Sequence, residues 1–159
     1  MNRTEPTIRY KRSRFSTRLP VDRRYTRAHY WLQQREGGVW RIGLTKFATR
    51  MLGDLVEYEF SLQPGAAIEI ELGQDIGWIE GFKAVSDIYS VACGRFRALN
   101  ADLGRDITLL ESDPYGQGWL YEVQGDPDPK NFDVHEYANI LDVTIDRMLA
   151  SWRDGDPNA

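Results

Sequence analysis

Only four of the twenty basic side chains are lysines, and one of them, Lys83, falls in Gly81-Phe82-Lys83-Ala84 between two runs of strand character. An amine at the apex of a hairpin is accessible, free along its stem and held on a rigid base. That suits a lysine presented to another enzyme for modification. The ordinary work of an exposed lysine is to keep a surface soluble, so placement alone leaves both readings open. The remaining chemistry-bearing residues are poorly arranged for catalysis. His29 and His135 are far apart in the chain and give a histidine metal site little support. Cys93, the single cysteine, excludes an internal disulfide and a cysteine-rich zinc site. Its small and apolar neighbours read as the setting of an inert core thiol. Ser86, Ser90 and Ser112 lack a nucleophile-elbow context. The many carboxylates sit on the polar faces of predicted strands and read as solvated, and no glycine-rich phosphate loop is present.

The elements that must position Lys83 are mostly β. Tyr25 to Arg35 and Val39 to Leu44 flank Gly37-Gly38, a hairpin turn signal. Thr45 caps a short helix over 46–52 that Gly53 closes. Leu55 to Leu62 alternates, with Val56, Tyr58 and Phe60 on the face predicted to be buried and Glu57 and Glu59 on the other. Ala67 to Leu72 alternates again. Ile76 to Glu80 and Val85 to Tyr89 are the strands on either side of the Lys83 turn. Arg95 to Leu99 and Trp119 to Val123 complete the set, with Asp113-Pro114-Tyr115-Gly116 as a turn between them. Gly125 to Lys130 reads as a linker. From Asp133 the period becomes helical, and Val134, Tyr137, Leu141, Ile145, Met148 and Trp152 share one stripe that belongs on a sheet. The expected organisation is a basic extension over 1–24, a β domain over 25–125 and a C-terminal amphipathic helix over 131–153.

Charge is unevenly spread along the 159 residues. Residues 1–27 hold nine basic and two acidic side chains, whereas the rest hold eleven basic and twenty-two acidic. An acidic body argues against nonspecific nucleic-acid binding. The basic arm suits either a polyanion or acidic partner, or a solvated tail lying back on its own acidic body. Glu5, Pro6, Pro20 and Asp22 interrupt any amphipathic helix in it, which disfavours an organelle transit peptide. No stretch approaches the ~18–20 apolar residues that span a bilayer. These features point to a cytoplasmic protein, with an organelle matrix as the lesser alternative.

Four ordered blocks carry a resemblance. They are Tyr25, Thr26, His29 and Trp31; Ile42-Gly43-Leu44-Thr45 with Ala48 and Leu52-Gly53-Asp54-Leu55-Val56; Glu80-Gly81-Phe82-Lys83-Ala84-Val85-Ser86-Asp87-Ile88-Tyr89-Ser90; and Asp113-Pro114-Tyr115-Gly116-Gln117-Gly118-Trp119-Leu120. Together they resemble the H proteins of the glycine cleavage system, a family of lipoyl carriers. The resemblance implies a lipoyl-domain-like β-barrel sandwich (hammerhead) with short helices and a C-terminal helix. It implies lipoate covalently attached at Lys83, with Glu80 and Ala84 helping a lipoate-attaching enzyme recognise the turn. It also implies a non-catalytic shuttle, a role that a monomer suits. The partners would be glycine decarboxylase, aminomethyl transferase and dihydrolipoyl dehydrogenase, with no nucleic acid, membrane or metal. A lipoyl-lysine makes an arm on the order of 10–15 Å long from ordinary bond lengths.

The chain departs from the family pattern in four places. His29-Tyr30-Trp31 has a phenol where the family writes a carboxylate near the cleft that shelters the loaded arm. Gly81-Phe82 replaces Ser-Val at the turn, Gly53 to Lys83 is about three residues longer than the pattern, and Ser90-Val91-Ala92-Cys93-Gly94 replaces Ser-Pro-Val-Ser-Gly. Losing the acid weakens the charge pairing available to an aminomethyl amine. Two other readings follow: a lipoyl carrier serving another pathway, such as sulfur-compound oxidation, and an unmodified interaction module docking through the basic arm.

Overall fold

The structure is a computed structural model and describes residues 5–153. Eleven strands form three antiparallel sheets that do not close into a barrel. The largest runs in the order β3 (Arg24–Tyr25), β4 (Tyr30–Gln34), β5 (Val39–Leu44), β11 (Trp119–Pro127), β10 (Ala92–Leu99) and β7 (Glu69–Ile70). A three-stranded sheet of β6 (Leu55–Phe60), β8 (Asp75–Gly81) and β9 (Val85–Tyr89) faces it, and the Lys83 turn joins β8 to β9. A separate ribbon is made of β1 (Thr7–Arg12) and β2 (Phe15–Pro20). The helices are α1 (Lys46–Leu52), the single turns α2 (Asp102–Arg105) and α3 (Leu109–Ser112), and α4 (Val134–Arg153). Among the described residues no helix is long and apolar enough to cross a membrane.

Two cores share strand β4. Tyr30 and Leu32 point between the two sheets with Ile42, Ile79, Ile88, Phe96 and Tyr121. Trp31, between them in sequence, points the other way into a second core with Tyr10, Phe15, Leu19, Tyr25, Phe47 and Tyr137. A strand buried on both faces reads as a continuous apolar run rather than an alternation, which is what Tyr30-Trp31-Leu32 shows. Gly43 lies across from Trp31, and a Cβ there would stand 2.5 Å from the indole. The indole Nε1–H reaches the Pro114 carbonyl at 2.9 Å, tying the first sequence block to the fourth.

Several expectations need correcting. Tyr25 to Arg35 is not one strand, because residues 26–29 turn tightly with His29 at φ 70°. Val56 is 48% exposed, since a register shift between Leu55 and Glu57 turns it out of the β6–β8 ladder. The alternating run at 67–72 pairs only through Glu69 and Ile70, so Leu72 is left exposed. The supposed linker begins as strand, with Gly94 paired to Gly125 and Cys93 to Asp126. That puts Cys93 half-buried on the ladder rather than in the core. Carboxylates on strands are not all solvated either. Glu122 is 4% exposed and bonds Arg41 at 2.9 Å and Arg97 at 2.8 Å, which supply the charge its burial requires.

The basic segment is built into the fold. Tyr10, Phe15 and Leu19 face α4, and Arg12 pairs with Asp146 at 2.7 Å while the Tyr10 hydroxyl donates to Asp142 at 2.8 Å. Asp133 and Glu136 each accept from the other's backbone N–H, a reciprocal cap at the start of α4. Val134, Tyr137, Leu141 and Ile145 bury the helix stripe against the ribbon and the β3 edge of the large sheet. Leu19 is 1% exposed, so Leu19→Ala should lower unfolding free energy by about 2–5 kcal/mol. Urea denaturation reads this as a lower midpoint; a detachable arm would leave the midpoint in place.

Candidate functional site

Lys83 occupies the tip of a two-residue hairpin loop. Glu80 pairs with Val85, and the Gly81 N–H donates to the Ala84 carbonyl at 2.9 Å, leaving Phe82 and Lys83 as the apex. Both apical backbone amides are used. Phe82 N–H donates to the Asp54 carbonyl and Lys83 N–H to the Leu52 carbonyl, each at 2.9 Å. The tip therefore rests on the C-terminal end of α1, where carbonyls lack partners within the helix. Two glycines permit the approach. Gly53 closes the helix at φ 78°, and a Cβ there would lie 2.8 Å from Lys83 Cγ. A Cβ on Gly81 would meet the Leu52 carbonyl oxygen at 2.2 Å.

Helix α1 is fixed at its other end by the fourth block. The Thr45 hydroxyl accepts from Ala48 N–H at 3.3 Å, and the Tyr115 hydroxyl accepts from Lys46 N–H at 3.1 Å. Lys46 Nζ donates to the Glu111 carbonyl at 3.0 Å, and a Glu111 carboxylate oxygen accepts from Leu55 N–H at 3.1 Å. Sequence reading missed Glu111, Leu52 and Asp54 as supports of the turn. For the last two the signal was the Leu52-Gly53-Asp54 triplet, whose carbonyls only a folded chain brings to Lys83.

The Lys83 side chain is exposed, and no hydrogen bond or ion pair engages its ammonium among the described residues. Ala84 is exposed and Glu80 half-buried, so the three expected site residues share one hairpin. Phe82 is 82% exposed beside them. Two hollows flank the tip. One, of about 430 Å³, is lined by Lys46, Arg50, Asp54, Lys83 and Glu111. The other, of about 230 Å³, lies across the hairpin between His29, Tyr30, Met51, Leu52, Ala84 and Asp87. Tyr30 lines this second cleft but is 4% exposed, and its hydroxyl accepts from Tyr89 N–H at 3.0 Å. Burial pushes the phenol up to about 12, so it stays neutral. Asp87 is the one carboxylate among the cleft's lining residues.

The comparisons with known proteins come to the same region. Residues 23–141 match the model of the glycine cleavage H-protein family. The chain belongs to this family. It is 37% identical to the glycine cleavage system H protein of Mycolicibacterium vanbaalenii over 125 residues, 79% of this chain and 91% of the relative. A probable glycine cleavage system H protein of Natronomonas pharaonis is 43% identical over 110 residues, 69% of this chain and 84% of that one. The crystal structure of an H protein from Mycobacterium marinum superposes with a TM-score of 0.68 at 33% identity, covering 76% of this chain and 97% of that chain. Membership accounts for the four blocks as one unit, because Trp31, Thr45 to Asp54, Lys83 and Pro114-Tyr115 are joined by the hydrogen bonds above. The family match leaves out the ribbon and the last three turns of α4.

His29 sits in the wall of the second cleft, with Nδ1 2.9 Å from the Tyr137 hydroxyl, which is itself 2.8 Å from the Thr45 hydroxyl. Burial pushes the imidazole down from 6.5 to about 4. The unfolded chain takes up the proton near 6.5 and the folded one only near 4. Stability from neutral His29 is thus complete above pH 6.5 and lost as pH falls through that window toward 4. An NMR titration should place the ring midpoint near 4, with the urea midpoint falling below pH 6.5. At the tip, Gly81→Ala should cut hydrogen-exchange protection of the Phe82 and Lys83 amides on the order of tenfold or more, about 1.4 kcal/mol. Unchanged protection would mean the loop is not held by α1.

Proposed function

We propose that this protein is the lipoyl carrier of a glycine cleavage system, with Lys83 as the acceptor of the lipoyl group. It would shuttle an aminomethyl group between glycine decarboxylase, aminomethyl transferase and dihydrolipoyl dehydrogenase, and catalyse nothing itself. The observation that carries the reading is the Lys83 amine, exposed and unengaged, on a turn whose backbone is fixed to α1. A lipoate-attaching enzyme needs such an amine in a fixed frame, with Glu80 and Ala84 on either side of the loop as the recognised shoulders. A mobile tip would cost ordering entropy on every visit.

Attached lipoate supplies a dithiolane that opens on reduction, carries the group on sulfur and closes on oxidation. The chain's own residues shape where the arm can rest. Ala84, Leu52 and Met51 offer apolar walls to the second cleft, and Asp87 also lines it, its carboxylate accepting from the Tyr89 hydroxyl at 3.3 Å. With the Tyr30 phenol neutral and already bonded to Tyr89, Asp87 is the group positioned to pair with an amine brought in by the arm. The carrier adds no reactive side chain of its own at the tip. It holds the arm at high local concentration for each docked enzyme.

A lipoyl carrier for another pathway is the second reading, and Tyr30 in place of a carboxylate is the observation that favours it. Intact-mass analysis of protein produced with lipoate and its attaching enzyme should show one lipoyl adduct, absent in Lys83→Arg. Glycine turnover with the three partner enzymes then separates the readings, because normal turnover excludes the second as the main role. Asp87→Asn should leave lipoylation intact and lower glycine turnover a few-fold, the scale of about one solvent-exposed charge-assisted hydrogen bond. Equal turnover would remove Asp87 from the amine's path.

A further inference from the structure

The ribbon is the most basic part of the described chain, and its charges are not used inside it. Strand alternation turns Tyr10, Phe15 and Leu19 inward and Arg9, Lys11 and Arg18 outward, with Arg14 on the connecting turn. Arg9 stands directly opposite Arg18 in the ladder, and like charges facing each other across a strand pair are destabilising. Among the described residues no carboxylate pairs with any of these four cations. Arg12, by contrast, is held by Asp142 and Asp146. Folding would be served better by an acid opposite Arg9. The arrangement makes sense if the acid comes from outside.

The position of the ribbon says where. Under its turn runs a groove of about 270 Å³ floored by Phe15, Phe47, Met51 and Met148, with Arg14 and Arg50 at the rim. Arg50 also lines the hollow beside Lys83, and Met51 lines the cleft on the other side of the hairpin. The ribbon turn, α1 and the Lys83 tip therefore form one continuous surface. We propose that this surface docks an acidic face of an enzyme that acts on the arm, with a bulky apolar side chain of that enzyme seated in the groove. The inference rests on the carrier reading above.

The chemistry favours a protein face over other polyanions. The outward face of the ribbon has no aromatic ring on which a base could stack. It also has no apolar side chain to enter a lipid surface. Residues 28–159 carry eleven basic against twenty-two acidic side chains, so an extended polyanion leaving the ribbon meets repulsion. A six-residue strand is about 20 Å long, the dimension of a local acidic patch. The ribbon lies outside residues 23–141, the part matched by the family model, whereas α1 and the Lys83 tip lie inside it.

The test compares lipoylated wild type with the R14E/R18E double variant, each assayed with purified glycine decarboxylase, aminomethyl transferase and dihydrolipoyl dehydrogenase. Both should show the same lipoyl adduct by intact mass. The thermal midpoint should stay level or rise, because R18E places a carboxylate opposite Arg9. For at least one enzyme, KM for the variant carrier should rise on the order of tenfold with kcat retained. That enzyme's KM for wild type should climb with added salt and the variant's should not. Should the double variant be destabilised, R14E alone, on the turn outside the ladder, gives the same readout. Equal KM values with all three enzymes overturn the docking surface and leave the carrier reading standing. No adduct, or no turnover of wild type, removes both. Retention of wild type on anionic phospholipid vesicles or duplex DNA at about 0.15 M salt, with KM unchanged, overturns the proposal in favour of that partner.

Discussion

The contact between the Lys83 turn and the end of α1 is the constraint on which the rest depends. Two backbone N–H groups at the hairpin apex satisfy the Leu52 carbonyl that the helix leaves open and the Asp54 carbonyl just past its cap, and the hairpin in turn gains a base it lacks on its own. An isolated two-stranded hairpin is marginal in water. Here its tip is fixed in place without any side chain at position 83 taking part. That division of labour is what a carrier lysine requires. The backbone is held, the amine is free, and rigidity ends at the Cα atom of Lys83. It also explains why residues thirty positions apart in sequence, Gly53 and Lys83, form one unit. A methyl group on either glycine at the contact would wedge the two elements apart.

Much of this was legible in the chain, because the signals were local. The capped helix over 46–52, the hairpin around Lys83 and the amphipathic C-terminal helix each carry their start, period and stop within a few residues. Illegible features were those decided by a distant partner. Val56 has the alternation of a buried position, and only the bulge opposite Gly81 and Glu80 turns it outward. Glu122 has the look of a solvated strand acid until Arg41 and Arg97 arrive from two other strands. At the candidate site, Lys83, Glu80 and Ala84 were expected from the pattern around them, and the three share one hairpin. Their support by Leu52, Asp54 and Glu111 consists of backbone carbonyls and one reaching carboxylate, which leave little trace in residue type.

Tyr30 shows how one substitution can be absorbed. The position lies at the boundary between the core and the second cleft, and the phenol turns into the core to accept from Tyr89 N–H. Tyr121 does the same from below, donating to the Tyr89 carbonyl and accepting from Val91 N–H. Two buried hydroxyls thus satisfy the irregular backbone where β9 ends and β10 begins. An ionised carboxylate at position 30 would lose hydration unless a cation paired with it, whereas the phenol needs only a donor. Asp87, on the strand that follows Lys83, is the one carboxylate among the residues that line the cleft.

The ribbon and the far end of α4 pack as one unit. Asp142, Ile145 and Asp146 lie beyond the family match and are the residues that hold Tyr10, Arg12 and the ribbon's apolar face. The ribbon alone is a hairpin with one apolar side, and the helix end alone would expose Ile145. Their joint face closes over Phe47, whose ring meets Phe15 edge-on at 5.5 Å. Phe47 belongs to α1, the helix on which the Lys83 turn rests. This unit therefore buttresses the same helix on which the turn rests, so the cations it carries outward are fixed relative to the lysine rather than tethered loosely to it.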